Sequence, residues 1–424
     1  MKLMVVGGGG REHAIIKKLK LNPSVERIYA LPGNGGIAAD AECVNVSATD
    51  VDKIVEFAQS HAIDYAVVAP DDPLVLGLVN RLTDVGIPCF GPTKEAAIIE
   101  GSKAFSKQLM KKYGIPTAKY EIFSDVQSAC EYIDAQNVPI VVKADGLALG
   151  KGVIIANTKD EAKTAVRDMI EGGKFGKSGA NVVIEEFLEG PEISVLAFCD
   201  GKTVVPMVSS MDHKRAKDND EGLNTGGMGT VAPNPYYTVD VDAECMENIF
   251  LPTVRAMEKE GRAFKGCLYF GLMLTEDGVK VIEYNCRFGD PETQVVLPLL
   301  KSDLLTIMQA TTDGILKEEM VQFEMGSCCC VCMVSDGYPQ SYEKGYPITV
   351  DPDFDAELFV AGAKLDGGVL KTNGGRVLGV VSKDYTLSGA IEKAYENVRR
   401  VHFDNAFYRK DIGQRALNAF KKQQ

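Results

Sequence analysis

The residues most able to do chemistry together lie in one short stretch, Lys-Val-Ile-Glu-Tyr-Asn-Cys-Arg-Phe-Gly-Asp-Pro-Glu at 280–292. Val281, Ile282 and Tyr284 favour an extended chain, which predicts a strand over 279–286. Alternation then places Glu283, Asn285 and Arg287 on one face, with Val281 ahead of them. A carboxylate and an amide oxygen two residues apart suit a hard cation such as Mg²⁺. The guanidinium that follows suits a carboxylate or a phosphate. The turn at 288–292 adds Asp290 and Glu292. A solvated strand face would account for Glu-Tyr-Asn alone; Arg287 and the acidic turn make the pattern one of a metal–phosphate site, which requires a nucleotide clamp elsewhere.

Candidate parts of that clamp precede it. An apolar strand at 139–143 ends in Lys143, followed by a glycine-rich hairpin at 144–152 that includes Gly150 and Gly152, then a second strand at 153–156. The lysine can reach phosphate oxygens while the glycines let backbone N–H groups approach them. It is not a Walker A loop, because G-x-x-x-x-G-K-[ST] is absent. A second glycine-rich run at 172–179 reads as a lid. A strand at 182–184 leads into Glu185, Glu186, Phe187 and Leu188, an extended hinge whose backbone can pair with adenine, and Glu192 can accept from ribose hydroxyls.

The remainder of the chain sets the frame. Its 424 residues suggest about three domains. A net charge of -13 argues against a nucleic-acid or anionic-membrane partner. No apolar run approaches the ~20 residues of a membrane span. The 11 cysteines are scattered apart from 328–332, which reads as a buried strand of small thiols in a reduced, cytoplasmic protein. At the N-terminus, a strand at 3–6, glycines at 7–10 and a helix at 11–20 resemble a dinucleotide turn. However, the third glycine of G-x-G-x-x-G is missing, so a nicotinamide site is not expected. A strand–helix rhythm continues, with helices at 51–61, 74–85 and 96–113, the last carrying Lys103 and Lys107. Pro70-Asp71-Asp72-Pro73 falls at a strand's C-terminal end, as a ligand loop or a helix cap. Further helices are expected at 160–172, 243–259, 295–308 and 386–401, and strands at 268–274, 327–334, 357–363 and 376–382.

With these elements in place, the chain resembles the phosphoribosylamine–glycine ligase family of the ATP-grasp superfamily along nearly its whole length. The motifs are G-G-G-G-R-E-H-A at 7–14, P-G-N at 32–34, K-A-D-G-L-A-L-G-K-G-V at 143–153 and I-E-E-F-L at 184–188. They continue with D-H-K-R at 212–215, N-T-G-G-M-G at 224–229, N-C-R-F-G-D-P-E-T-Q at 285–294, G-G-R-V-L-G-V at 374–380 and Y-R-K-D-I-G at 408–413. The resemblance implies an α/β and α+β multidomain protein. It has an N-terminal pre-grasp parallel-sheet domain (1–102), an ATP-grasp region (103–328, with a smaller lid lobe at about 121–189) and a small C-terminal α+β domain (329–424). It implies joining of glycine to 5-phosphoribosylamine with ATP and Mg²⁺ or Mn²⁺, through glycyl phosphate, by a monomer or weak dimer.

By the same resemblance Lys103, Lys143, Gly150 and Gly152 lie at the ATP phosphates, Glu185–Leu188 at adenine and Glu192 at ribose, while Glu283 and Asn285 bind the metal. Gly9, Arg11, Glu12, His13, Asn34, Asp71, Lys214, Asn224, Thr225, Gly226 and Gly227 would meet the substrates. Gly226 and Gly227 are expected to offer backbone N–H groups. Arg287 would hold the acyl-phosphate oxygens, and Asp212 or Asp290 would orient the amine or take its proton. Two departures stand out: Asp71 is a shorter acid than the family's usual Glu, and Val360-Ala361-Gly362-Ala363 replaces His-Ala-Gly-Thr. The competing readings are another ATP-grasp ligase or carboxylase and a nucleotide-binding module without turnover. The decisive expectation is spatial: Lys143 and Glu283 must converge on one triphosphate.

Overall fold

The computed structural model describes residues 1–147, 152–172 and 180–423. The first ninety residues form a five-stranded parallel sheet in the order Glu42–Cys43, Arg27–Pro32, Lys2–Gly7, Tyr65–Val68, Cys89–Phe90. Lys2–Gly7 is apolar without alternation because both its faces are covered: Leu3 and Val5 enter one core, Met4 and Val6 another.

Two expected helices are each split. The 74–85 helix is Asp71–Leu76 followed by Leu78–Asp84, broken at Gly77 (φ +90°), a left-handed conformation that ends a right-handed helix. The 96–113 helix is Lys94–Gly101 and Lys103–Tyr113. Ser102 is extended between them, and its hydroxyl accepts from the Phe105 N–H at 3.0 Å as an N-cap. This break starts a new helix at Lys103.

Tyr120–Phe123, Val182–Glu186, Ile140–Ala144 and Val153–Ala156 pair in that order as an antiparallel sheet. Helices Val126–Asp134 and Lys159–Ile170 cover it, and Ile133, Val142, Val166 and Ile184 form a core separate from the rest of the molecule. A lobe with its own core can rotate as a body. The facing sheet runs Val204–Pro206, Glu192–Asp200, Lys265–Thr275, Gly278–Asn285. Glu192–Asp200, not anticipated from the sequence, pairs with Lys265–Thr275 along its full length.

The edge strand Gly278–Asn285 corrects the simple alternation. Leu272 pairs with Val281 and Gly271 with Glu283, which leaves Ile282 as a β-bulge. Val279, Val281, Tyr284 and Cys286 therefore all face one core. Glu283, Asn285 and Arg287 face the other way, without Val281. Gly271 leaves the room: a Cβ there would lie 3.0 Å from the Glu283 Cγ.

The last sheet is assembled from distant parts, in the order Met211–Asp212, Gly229–Ala232, Ser327–Ser335, Arg376–Asp384, Glu357–Val360. Two of its strands thus come from the middle of the chain. Cys328, Cys329, Cys330 and Cys332 are buried on Ser327–Ser335, and all 11 cysteines are free. The 357–363 strand ends at Val360, and Ala363–Asp366 pairs instead with Val369–Thr372. The chain turns at Gly362, where a Cβ would meet the Arg376 carbonyl at 2.6 Å. The 295–308 helix is also two, Thr293–Leu299 and Leu304–Asp313, with Leu300 extended after Pro298 has removed a helical donor. Among the described residues no helix is long and apolar enough to cross a membrane.

Candidate active site

The cleft between the lid lobe and the facing sheet is lined on one side by lysines. Lys143, the penultimate residue of its strand, reaches both carboxylate oxygens of Glu185 at 3.0 Å and donates to the Ile282 carbonyl at 3.2 Å. That carbonyl belongs to the bulged residue and adjoins Glu283, so the two segments meet here. Lys143 is nevertheless engaged with protein rather than open. Lys107 also grips Glu185, at 2.9 Å, and donates to the Thr117 hydroxyl at 2.7 Å. Burial lowers the Lys107 pKa to about 8, despite the charge of Glu185.

Lys103, at the head of its helix, donates to the Gly146 carbonyl at 2.9 Å, and Asp145 accepts from Ser102 and from the Ala104 N–H. Burial lowers the Lys103 pKa too, with Glu283 opposing. The hairpin is thereby tied to the start of the helix Lys103–Tyr113. Gly152 lies at its base, where its carbonyl accepts from the Ala144 N–H at 2.8 Å. Gly150 lies outside the described residues, as does the 172–179 run beyond Gly172. In the hinge, Glu185 and Glu186 belong to the strand Val182–Glu186, and the Glu185 side chain serves the lysines. Phe187 and Leu188 follow the strand, and their backbone groups have no hydrogen-bond partner among the described residues. Glu192 pairs with Lys214 at 2.9 Å.

On the bulged strand, Glu283 and Asn285 have no side-chain hydrogen bond to any described residue. Burial works against the Glu283 charge, but Lys214, Lys143, Lys103 and Arg287 outweigh it and hold its pKa below the usual range. One carboxylate and one amide oxygen, both uncommitted, fit a divalent ion whose other ligands are phosphate oxygens and water. Among the described residues no group of three or more His, Cys, Asp or Glu side chains is placed to hold a metal ion.

Arg287 turns out to be committed as well. It approaches Glu100 at 3.2 Å and Asp71 at 3.9 Å, and its buried Nε has no hydrogen-bond partner among the described residues. Burial opposes its charge, but Glu100 and then Asp71 overcome this. Glu100 also accepts from the Cys286 N–H at 2.7 Å, fixing the strand exit, while burial raises its own pKa against the pull of Arg287.

Across the cleft acids predominate. Asp290 accepts from Gln294 at 2.8 Å and lies 3.5 Å from Arg376. Burial is outweighed by Arg376 and Arg11, so its pKa is lowered. Asp212 goes the other way, pushed well above the carboxylate range by burial and then by the charge of Glu292. Glu292, itself raised by burial, accepts from the Tyr269 hydroxyl at 3.2 Å. Arg376 donates to the carbonyls of Gly226 and Asp290 at 2.7 and 2.9 Å. The amides expected to face substrate are taken: Gly226 N–H donates to the Tyr338 hydroxyl at 3.0 Å, and Gly227 N–H to the Thr225 hydroxyl at 3.0 Å. Asn224 is exposed at the end of the hairpin Arg215–Lys217/Glu221–Asn224.

The N-terminal residues brace more than they present. Glu12 accepts from the Gly9 N–H at 2.6 Å and from Arg11 at 2.7 Å, which closes the helix start. Arg11 continues to the Phe288 carbonyl at 3.2 Å. His13 accepts the Val360 N–H on Nδ1 at 2.8 Å, so its Nε2 carries the hydrogen that faces Asp40 at 3.1 Å. Burial lowers its pKa to about 4. Asn34 donates to the carbonyls of Gly8 and Val360 and accepts from the N–H groups of Gly36 and Ile37. The family's histidine is dispensable at position 360 for these contacts, because only the Val360 backbone makes them.

Lys107, Glu100, Tyr338 and Arg376 escaped sequence reasoning as site residues, and Glu292 was read only as part of the acidic turn. The available signals were Lys107 one turn beyond Lys103, and the presence of Glu292 and Arg376 within quoted motifs. Y-R-K-D-I-G also gains a role: buried Arg409 binds Asp411 and Asp220, while the Lys410 and Asn219 N–H groups bond to Asp218 and Asp411. The C-terminal motif thus clamps the hairpin that carries Lys214 and Asn224.

Comparison with known proteins gives matches along the same chain. Residues 1–100 match the N domain of phosphoribosylglycinamide synthetase, 101–293 its ATP-grasp (A) domain and 328–415 its C domain. A phosphoribosylamine–glycine ligase of Halalkalibacterium halodurans is 48% identical over 98% of this chain and 97% of its own. The crystal structure of a phosphoribosylamine–glycine ligase from Thermotoga maritima superposes with a TM-score of 0.86 at 35% identity, covering 97% of this chain and all of the other. The biotin carboxylase domain of a Hydrogenobacter thermophilus 2-oxoglutarate carboxylase, at 16% identity and TM-score 0.74, covers 96% of this chain and 91% of its own and shares the fold.

Proposed function

The chain belongs to the phosphoribosylglycinamide synthetase family, and from that premise we propose that it joins glycine to 5-phosphoribosylamine through glycyl phosphate. It is an ATP-dependent carbon–nitrogen ligase of purine biosynthesis. The observation that carries the reading is the meeting of Lys143 with the Ile282 carbonyl beside Glu283, 3.2 Å apart.

A glycine carboxylate is a poor electrophile. Transfer of the γ-phosphoryl group to one of its oxygens gives a mixed anhydride with a good leaving group. The amine nitrogen then attacks the carbonyl carbon, and phosphate departs with the electrons of the broken C–O bond. Most of the catalysis in such a transfer is positioning and charge neutralisation. Lys103 and Lys143 neutralise the phosphates, and the Phe187 and Leu188 backbone holds adenine while Glu192 accepts from ribose. Glu283 and Asn285 would hold Mg²⁺ or Mn²⁺, which when bound supplies further positive charge to the phosphate oxygens. Arg287, held in place by Glu100, directs its free Nε to the acyl phosphate. Asp212 takes the proton from the attacking amine. Asp290, stabilised as an anion by Arg376, is the weaker base and positions the turn. Eleven free thiols suit a reducing cytoplasm as the place of work.

The test is a coupled ADP assay with phosphoribosylamine generated in place. ADP release that requires glycine supports the reading. Release that instead follows bicarbonate marks a carboxylase, and ATP binding without release marks a module without turnover.

A further inference from the structure

Lys107 has no part in that reaction, yet its side chain is only 2% exposed. It shares a single carboxylate with Lys143: both ammonium groups lie within 3.0 Å of Glu185. This matters because Lys143 cannot serve a phosphate while it is bound to Glu185 and the Ile282 carbonyl. If Lys143 were the only counter-ion, its departure would strand a buried carboxylate, which is strongly unfavourable. Lys107 is anchored where it stands. Its ammonium donates to the Thr117 hydroxyl at 2.7 Å, and that hydroxyl donates to the Val281 carbonyl at 2.7 Å, at the edge of the bulge. It also lies over the Tyr120 ring, 5.6 Å from the centroid.

We propose that Lys107 is a positioning residue that keeps Glu185 neutralised, so that Lys143 is free to transfer from Glu185 to the nucleotide phosphate. Three elements meet at this point: the helix Lys103–Tyr113, the lid-lobe strand Val182–Glu186 and the bulged strand Gly278–Asn285. The anchor therefore sits where the lid lobe joins the rest of the molecule, and the exchange of Lys143 partners is coupled to what enters the cleft. The inference rests on the nucleotide reading of this cleft and deepens it.

A double-mutant cycle tests it, with kcat/KM for ATP read by ADP release in the full chain. Lys107→Met should lower kcat/KM about a hundredfold, because Lys143 is then trapped on Glu185. In a Glu185→Gln background there is no carboxylate to trap Lys143, so the same substitution should cost less than about threefold. A residue that merely packs would cost the same in both backgrounds, and that result overturns the proposal, as does an unimpaired Lys107→Met. Melting curves check the fold. If the methionine variant does not fold, Lys107→Gln, which retains a donor for Thr117, completes the same cycle with the same expectations. The wild-type arm separates the two readings: without nucleotide-dependent turnover there the function fails, whereas normal wild-type turnover with equal losses in the cycle rejects only the role of Lys107.

Discussion

On one wall of the cleft, Lys103, Lys107 and Lys143 face Glu185 and Glu283, with Asp145 and Glu100 close to Lys103. On the other wall, Asp212 lies beside Glu292, and Asp290 is held by Arg376, with Lys214 and Arg11 close by. Both walls are buried, and buried charge that the protein leaves unbalanced is costly. On the proposed reading, polyanionic phosphate would lie beside the lysines and the amine beside Asp212 and Asp290. The two walls are joined by the strand Gly278–Asn285 and its turn, which sends Glu283 to the first and Asp290 and Glu292 to the second.

The largest effect should come where the walls meet. Glu283→Ala is expected to reduce ligation about a thousandfold or more with an unchanged melting temperature. Turnover close to wild type would remove Glu283 from the phosphate side. A paired comparison separates the walls. Lys103→Met should raise KM for ATP about tenfold and leave KM for glycine alone, while Asp212→Asn should lower kcat about a hundredfold without changing ATP affinity. If both variants shift the same constants, the division into two walls is wrong.

Next in size is the brace behind the acidic wall. Arg376→Met should reduce kcat/KM for the amine about tenfold, since the carbonyls of Gly226 and Asp290 lose a charged donor. Steady-state kinetics with varied amine reads this.

The smallest effect concerns groups on neither wall. His13 and His213 are buried neutral, and burial lowers each pKa from 6.5 to about 4. Between those values the unfolded chain binds more protons than the folded one. Stability is therefore lost as pH falls through that window, by about 2–3 kcal/mol per ring at pH 4.5. Urea unfolding at pH 7 and pH 4.5 should show a shallower loss in His13→Gln than in wild type. An identical loss would mean that the His13 bridge to Val360 is not what acid breaks.

Much of this site can be read along the chain where neighbours in sequence are also neighbours in function. Glu283, Asn285 and Arg287 share a face because a strand alternates, and Lys143 follows the apolar run Ile140-Val141-Val142 near its strand's end. What misled was continuity: a 3.6-residue rhythm runs through Gly77 and Ser102, although one backbone turned left-handed and one hydroxyl cap divide the helices there. The bulge at Ile282 was invisible for a similar reason, since it depends on how the neighbouring strand pairs.

The sequence by itself determined the cast and the local geometry: the parallel N-terminal domain, the lysine hairpin, the acid–amide strand and the family motifs. These follow from short-range periodicity and from chemistry carried by adjacent residues. Only the tertiary structure decided who is paired with whom. Glu185 between two lysines, Arg287 on Glu100, Arg376 against Asp290 and His13 on Val360 are contacts between segments tens to hundreds of residues apart. No local pattern encodes such partners, because they are selected by the burial of unlike charges when separate sheets close on one cleft.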